Sequence, residues 1–203
     1  MPGYDIMIRK YKGGKCTSNM EKRSSKMVYT CHYESPLGGI LLAADGIGLT
    51  GLWFDGEKYL NKQLPTEHTE QETPILAETK RWLDIYFTGT EPDVFPPLHP
   101  DGSAFQQEVW EILLQIPYGK TTTYGKIARQ LAGKRGIKRM SAQAVGGAVG
   151  HNRISILIPC HRVVGANGSL TGYAGGMNKK IKLLELEKTD TTGLFMPKKG
   201  CLN

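Results

Sequence analysis

A chain of 203 residues, 39% hydrophobic and 22% charged, holds enough material for one large or two small globular domains. No uninterrupted apolar run reaches the length of a bilayer span, so a spanning helix is excluded and a soluble protein is expected. The net charge of +7 is unevenly spread: residues 27–102 carry four Lys/Arg against twelve Asp/Glu, and residues 103–187 carry twelve against four. An acidic half is joined to a basic half, and a polyanion is the partner that suits the basic one.

Residues 1–26 hold seven Lys/Arg against two Asp/Glu, with Gly13-Gly14, Ser24-Ser25 and little apolar periodicity. That composition predicts a flexible basic extension. The opening MPGYDIMIRKYKGGKC has no apolar core before a small-residue cleavage site, so it does not read as a secretory signal, and a cytoplasmic protein is expected. The run MVYTCHYESPLGGILLAADGIGLTGLWF alternates apolar stretches with turn signals at Pro36-Leu37-Gly38-Gly39 and Asp45-Gly46. An antiparallel sheet over residues 27–54 follows. Pro74 suits the first turn of a helix whose stripe is Ile75, Leu76, Thr79, Trp82, Leu83 and Tyr86, with Gly89 ending it. EPDVFPPLHPDG packs four prolines into twelve residues and resists regular structure, which places a domain boundary at residue 102.

Ser103 can cap a helix AFQQEVWEILLQI, with Phe105, Val109, Ile112, Leu113 and Ile116 facing inward and Pro117-Tyr118-Gly119 stopping it. TTTYGKIARQLAG predicts a second short helix closing at Gly133, and SAQAVGGAVG a third after the basic loop KRGIKRM. Two short helices around a loop make a helix-turn-helix pattern, although paired short helices also fill ordinary cores. The expected organisation is a basic extension over 1–26, an α/β domain over 27–102, a mostly helical domain over 103–187 and a tail over 188–203.

The chemistry concentrates in HNRISILIPCHRV, residues 151–163. Ile154, Ile156 and Ile158 alternate, which predicts a short buried strand that Pro159 must end. Cys160 then stands at the strand mouth beside His161 and Arg162, two basic neighbours of the kind that favour a thiolate. VVGANGSLTGYAGG brings five glycines in fourteen residues, a loop that lets backbone approach a ligand. MNKKIKLLELE closes as a helix with Ile181, Leu183, Leu184 and Leu186 inward. The four cysteines, Cys16, Cys31, Cys160 and Cys201, show no CxxC spacing, so neither a zinc knuckle nor a redox pair is indicated and free thiols are expected. No convincing metal-ligand set is found. On the residues alone, Cys160 reads as an inert buried thiol, as the nucleophile of a Cys-His hydrolase, or as a structural cysteine in a helix-turn-helix DNA-binding protein.

IPCHRV, preceded by AVGGAVGHN and followed by GSLTGYAGG, resembles the active-site signature of the O6-alkylguanine-DNA alkyltransferases, as do FQQEVWEILLQIPYGKTTTYGKIA and the closing KLLELE. YESPLGGILLA and YFTGTEPDVFPPL are similar to the more variable N-terminal half of that family, so the resemblance covers residues 28–187. It implies an α/β (α+β) fold: a small N-terminal antiparallel-sheet domain of ribonuclease H-like type, then a mostly helical domain with a helix-turn-helix and the active-site cysteine. It implies DNA repair in which Cys160 takes the alkyl group from O6 of a flipped guanine and keeps it, a single-turnover reaction without cofactor or metal. Activity on O4-alkylthymine is left open.

By the same resemblance His161 is the base acting through a water, Glu187 orients it, and Asn152 sits by the thiolate. Tyr124 donates to the leaving purine, while Tyr173, Ala174 and the carbonyls of Cys160 and Val163 line the base pocket. Ala174 stands where many members have serine, and Gln143 stands where the best-known members have an arginine that fills the gap left by the base. Gln143, Ala144, Gly146 and Gly147 would dock in the minor groove of double-stranded DNA, with Arg135, Lys138 and Arg139 nearby and Arg153 as an added charge. A monomer with no membrane association is expected.

Overall fold

The turn signals of the first half produce an antiparallel meander. In the computed structural model, which describes residues 27–197, β1 (Tyr29–Ser35) pairs with β2 (Gly38–Ala44) from Tyr29↔Ala44 to Ser35↔Gly38. The loop Pro36-Leu37 is closed by Gly38 at φ 106°, a conformation open to glycine. β3 (Leu49–Phe54) pairs with β2 after a turn held by Asp45, whose Oδ1 accepts from the amides of Ile47 (2.8 Å) and Gly48 (2.9 Å). A one-turn helix α1 (Leu60–Gln63) and a two-residue strand β4 (Thr69–Glu70) follow, neither of them signalled by periodicity. β4 lies parallel to β1, so the sheet order is β3-β2-β1-β4.

Thr73 caps α2 (Pro74–Tyr86), which buries Leu76, Thr79, Trp82, Leu83 and Tyr86, while Ile75 is only half-buried. This first unit runs to Asp101 and also takes in Arg153–Ser155. Those three residues pair with β3 through Leu52, whose amide donates to the Arg153 carbonyl (2.8 Å) and whose carbonyl accepts from the Ser155 amide (2.9 Å).

The second unit comprises Gly102–Asn152 and the chain from Ile156. Ser103 and Gln106 form a capping box at the start of α3 (Ala104–Leu113). Trp110 is buried beside the predicted stripe, and its indole N–H donates to the Ala148 carbonyl (2.9 Å). β5 (Thr122–Thr123) leads into α4 (Tyr124–Arg135), capped by Thr123. The helix passes Gly133, where the sequence predicts its end, and stops at Gly136, whose φ of 65° supplies the left-handed cap while Lys134 and Arg135 face the negative helix end. After a six-residue turn, Ser141 caps α5 (Ala142–Gly150), which completes the helix-turn-helix.

The strand expected over residues 154–158 does not form. Ile154 makes one bridge to Leu52, Ile156 turns at φ 70°, and Pro159 (φ −80°, ψ 62°) closes an inverse γ-turn in which the Cys160 amide donates to the Ile158 carbonyl (2.7 Å). All residues from Ile154 to Val164 are buried, so their alternating pattern marks burial on every side rather than a sheet. A β-branched residue at positive φ costs about 1–3 kcal/mol and persists only where its surroundings fix it.

Cys160–Arg162 form one 3-10 turn, after which β6 (Val163–Val164) pairs in parallel with β5. The last helix, α6 (Met177–Leu186), buries Leu183 and Leu184 as predicted and also Lys180, while the predicted Ile181 and Leu186 are only half-buried. Among the described residues no helix is long and apolar enough to cross a membrane. The predicted extension 1–26, residues 198–203, and Cys16 and Cys201 lie outside the described residues, while Cys31 and Cys160 are not in disulfides.

Candidate active site

The site is assembled around Glu187, the residue that caps the end of α6. Lys188 follows at φ 53°, and the Thr189 amide donates back to the Leu184 carbonyl (2.9 Å), a Schellman closure built without glycine. Glu187 is thereby turned inward and is 2% exposed. Its carboxylate accepts from four donors. Oε1 takes His161 Nε2 (2.8 Å) and Arg162 Nη2 (2.9 Å), and Oε2 takes Arg162 Nε (2.9 Å) and the Gly119 amide (3.3 Å). Gly119 has φ 69°, and a Cβ there would lie 2.8 Å from the Glu187 carbonyl oxygen, so the Pro117-Tyr118-Gly119 turn both stops α3 and closes this cradle. Burial opposes the charge on Glu187, yet His161 and Arg162 together hold its carboxyl well below the usual carboxylate range.

His161 is fully buried, and burial pulls its pKa below the ordinary imidazole value despite Glu187. The contact with Glu187 is therefore a hydrogen bond from a neutral ring rather than an ion pair, because the Arg162 guanidinium already balances the carboxylate. With Nε2 donating, the neutral tautomer leaves the lone pair on Nδ1, and Nδ1 has no hydrogen-bond partner among the described residues.

Arg162 reads in the sequence as a cation beside the thiol. Its geometry assigns it elsewhere: Nε and Nη2 bind Glu187 in the bidentate manner, Nη1 donates to the Ile116 carbonyl (2.7 Å), and the guanidinium lies 5.5 Å over the Tyr118 ring.

Cys160 is 6% exposed. Asn152 Nδ2 donates to its Sγ (3.1 Å) and to the Ile158 carbonyl (2.8 Å), so one amide holds both the sulfur and the γ-turn that presents it. The β5–β6 pairing sets Tyr124 beside this turn, and its hydroxyl donates to the Thr171 carbonyl (3.1 Å). Burial and the nearby Cys160 push the Tyr124 pKa up to about 12, which keeps the phenol protonated. Gly172, at φ 73°, lies so close that a Cβ would meet the Tyr124 hydroxyl at 2.9 Å. Tyr173 is buried with its ring edge-on to His161 at 6.4 Å, and Ala174 is half-buried.

Lys180 is absent from the site residues expected from the sequence. It is fully buried, and its ammonium donates to the carbonyls of Val163 (2.6 Å) and Thr171 (2.9 Å). Burial lowers its pKa to about 8, with Cys160 acting in the opposite direction. A lysine in the register of an apolar stripe is the one signal that could have found it.

The remaining predicted residues are not part of this cluster. Gln143, Ala144 and Gly147 are exposed on α5 and Gly146 is half-buried, with its open side toward the Tyr124 ring. Lys138 and Arg139 are exposed, whereas Arg135 pairs with Glu108 (2.9 Å) across the Phe105 ring. Arg153 belongs to the first unit, where it donates to the Gln63 carbonyl (3.0 Å) and pairs with Asp101 (3.5 Å).

Fold and site together define a protein with a buried Cys-His-Glu constellation carried on a helix-turn-helix unit. Residues 104–189 match the family model for the DNA binding domain of 6-O-methylguanine DNA methyltransferase, and residues 27–99 match its ribonuclease-like domain. The chain is 40% identical over 163 residues to a methylated-DNA--protein-cysteine methyltransferase of Haemophilus influenzae, covering 79% of this chain and 87% of that protein. It is 43% identical over 161 residues to one from Methanosarcina acetivorans, covering 79% and 98%. The crystal structure of the Mycobacterium tuberculosis O6-methylguanine methyltransferase is similar at TM-score 0.69 and 43% identity, covering 80% of this chain and 93% of that one. The structure of Mycobacterium tuberculosis OGT in complex with DNA is similar at TM-score 0.68 and 40% identity, covering 83% and 99%. The chain belongs to the 6-O-methylguanine DNA methyltransferase family.

Arg162→Ala leaves the Glu187 charge buried without its main counterion and is expected to destabilise the protein by about 3–5 kcal/mol in denaturant titrations at pH 7. Because the folded pKa of Glu187 is depressed, its contribution is present above the unfolded value near ~4.3 and is lost as the pH falls through the folded one. The gap between variant and wild type should therefore narrow in acid, and a gap that widens there would contradict the cradle.

Proposed function

We infer that this chain repairs DNA by direct, irreversible transfer of an alkyl group from O6 of guanine to Sγ of Cys160. The observation that carries this reading is His161, the residue after Cys160, oriented by Glu187 through Nε2 (2.8 Å), in a member of this family. O6 lies within the base stack, so the nucleotide must rotate out of the duplex to meet the sulfur.

His161 takes the Cys160 proton at Nδ1 through a bridging water, and Glu187 stabilises the imidazolium that forms. Asn152 keeps the sulfur aimed by donating to Sγ, and the buried Lys180 ammonium favours its negative charge. The thiolate attacks the alkyl carbon: the S–C bond forms, the C–O6 bond breaks, and its electron pair leaves with the purine. Tyr124, held protonated, donates to the purine anion. The Val163 carbonyl, steadied by Lys180, keeps a second lone pair for the exocyclic amine of the base. Tyr173 walls the pocket. Ala174 offers no hydroxyl, and the main-chain amides of its GYAGG loop serve toward O6. The product is a thioether that no neighbouring group can hydrolyse, so each chain acts once.

The DNA surface is α5, docked in the minor groove. Gln143 takes the place of the displaced base and pairs with the orphaned partner without adding charge. Ala144, Gly146 and Gly147 let the helix backbone approach a narrow groove, and the exposed Lys138 and Arg139 supply charge toward the phosphates, while Arg135 is held by Glu108. A monomer in the cytoplasm meets the needs of a reaction that uses one chain per lesion.

Nothing of the protein lies within 4 Å of a Cβ placed on Gly147, so tight helix packing does not require glycine there. Gly147→Ala should raise stability by about 0.5–1 kcal/mol through helix propensity while weakening DNA binding. Equal or tighter binding would place the DNA elsewhere. Intact mass after incubation with an O6-methylguanine duplex should rise by one methylene, mapped to the Cys160 peptide, once per chain. Uptake on another residue, or continued turnover, would refute the mechanism.

A further inference from the structure

The chain continues past Thr189, where the family model ends, and folds back on the active-site loop. Asp190 Oδ1 accepts from the Thr192 amide (2.9 Å), and the Leu194 amide donates to the Thr191 carbonyl (2.9 Å), with Gly193 at φ 79°. Phe195 then runs parallel to Ser169: its carbonyl accepts from the Leu170 amide (2.9 Å), and its amide donates to the Gly168 carbonyl (3.2 Å). Leu194 packs on the cluster of Val164, Leu170 and Leu184. Gly168 has φ 86°, and a Cβ there would sit 2.2 Å from the Gly193 carbonyl oxygen, a collision between two backbones that neither side chain could relieve.

Leu170, gripped in this way at its amide and its side chain, directly precedes Thr171. The Thr171 carbonyl receives both the Tyr124 hydroxyl (3.1 Å) and the Lys180 ammonium (2.9 Å). We propose that Thr191–Phe195 is a clasp that positions the Tyr124 hydroxyl through Leu170 and Thr171, making a segment outside the family's matched domain a positioning element for alkyl transfer. The proposal rests on the alkyl-transfer reading above. The clasp touches neither sulfur nor base. It fixes the carbonyl that holds the phenol at the pocket wall until a purine takes its proton.

The test is single-turnover methyl transfer by the full chain at rising concentrations of O6-methylguanine duplex, comparing wild type, Leu194→Asp, Leu194→Met, Tyr124→Phe and the double variant Tyr124→Phe/Leu194→Asp. Leu194→Asp should lower the limiting rate about tenfold with the half-saturating DNA concentration unchanged, and Leu194→Met should restore it. In the Tyr124→Phe background, Leu194→Asp should cause no further loss, since the group that it positions is already gone. Gly168→Ala displaces the clasp from its other side and should repeat the pattern, so the test survives if Leu194→Asp does not fold. A wild-type rate in Leu194→Asp, or the same fold loss with and without the Tyr124 hydroxyl, would overturn the clasp while leaving the repair reaction intact. A wild-type protein that takes up no methyl group would instead refute the alkyl-transfer reading, and the clasp with it.

Discussion

The structure depends on one buried carboxylate. Removing a charge from water costs several kcal/mol, and a cluster of this kind persists only when its geometry and remaining hydrogen bonds are satisfied. Glu187 meets that condition with four donors on two oxygens. Those donors come from the 3-10 turn that carries Cys160 and from the turn after α3, while Glu187 itself ends α6. The cluster requires three separate pieces of chain to meet in a single arrangement.

That arrangement sets the chemistry. An arginine neutralises the carboxylate, and burial pulls the histidine's pKa below the ordinary imidazole value. A phenol nearby is held as an acid, with its pKa pushed up to about 12, while a lysine is brought down to about 8. Groups whose environments drive their protonation apart are what a site needs when one proton must leave a thiol and another must reach a leaving group at the same pH. The exposed residues Gln143, Ala144 and Gly147 of α5 carry none of this titrating chemistry.

Much of this is legible in the sequence, unevenly. Turn residues at 36–39 and 45–46 mark the meander, and Ser103 marks a helix start because capping is local. Cys160 and His161 are visible as neighbours. Glu187, twenty-six residues on, is indistinguishable from a solvated helix residue until the family resemblance supplies its role. Arg162 misleads, since adjacency along the chain says nothing about where a long side chain points. Lys180 sits in the register of an apolar stripe, and its carbonyl partners come from a loop whose path no periodicity encodes. Ile154, Ile156 and Ile158 imitate a strand because burial on all sides gives the same pattern as a sheet. The β5–β6 pairing and the clasp at Phe195 are contacts of two or three residues, too short for any window to register.

With Glu187 and Arg162 in place, His161 is expected to be a neutral ring with its proton on Nε2 and its lone pair on Nδ1. Nitrogen-15 NMR of the His161 imidazole across pH 5 to 8 tests it most directly, because the two nitrogens shift differently with protonation. A protonated Nε2 and a bare Nδ1 are expected throughout, with no titration at the ordinary value near ~6.5. A proton on Nδ1 in the neutral form, or an imidazolium that forms at that ordinary value, would contradict it.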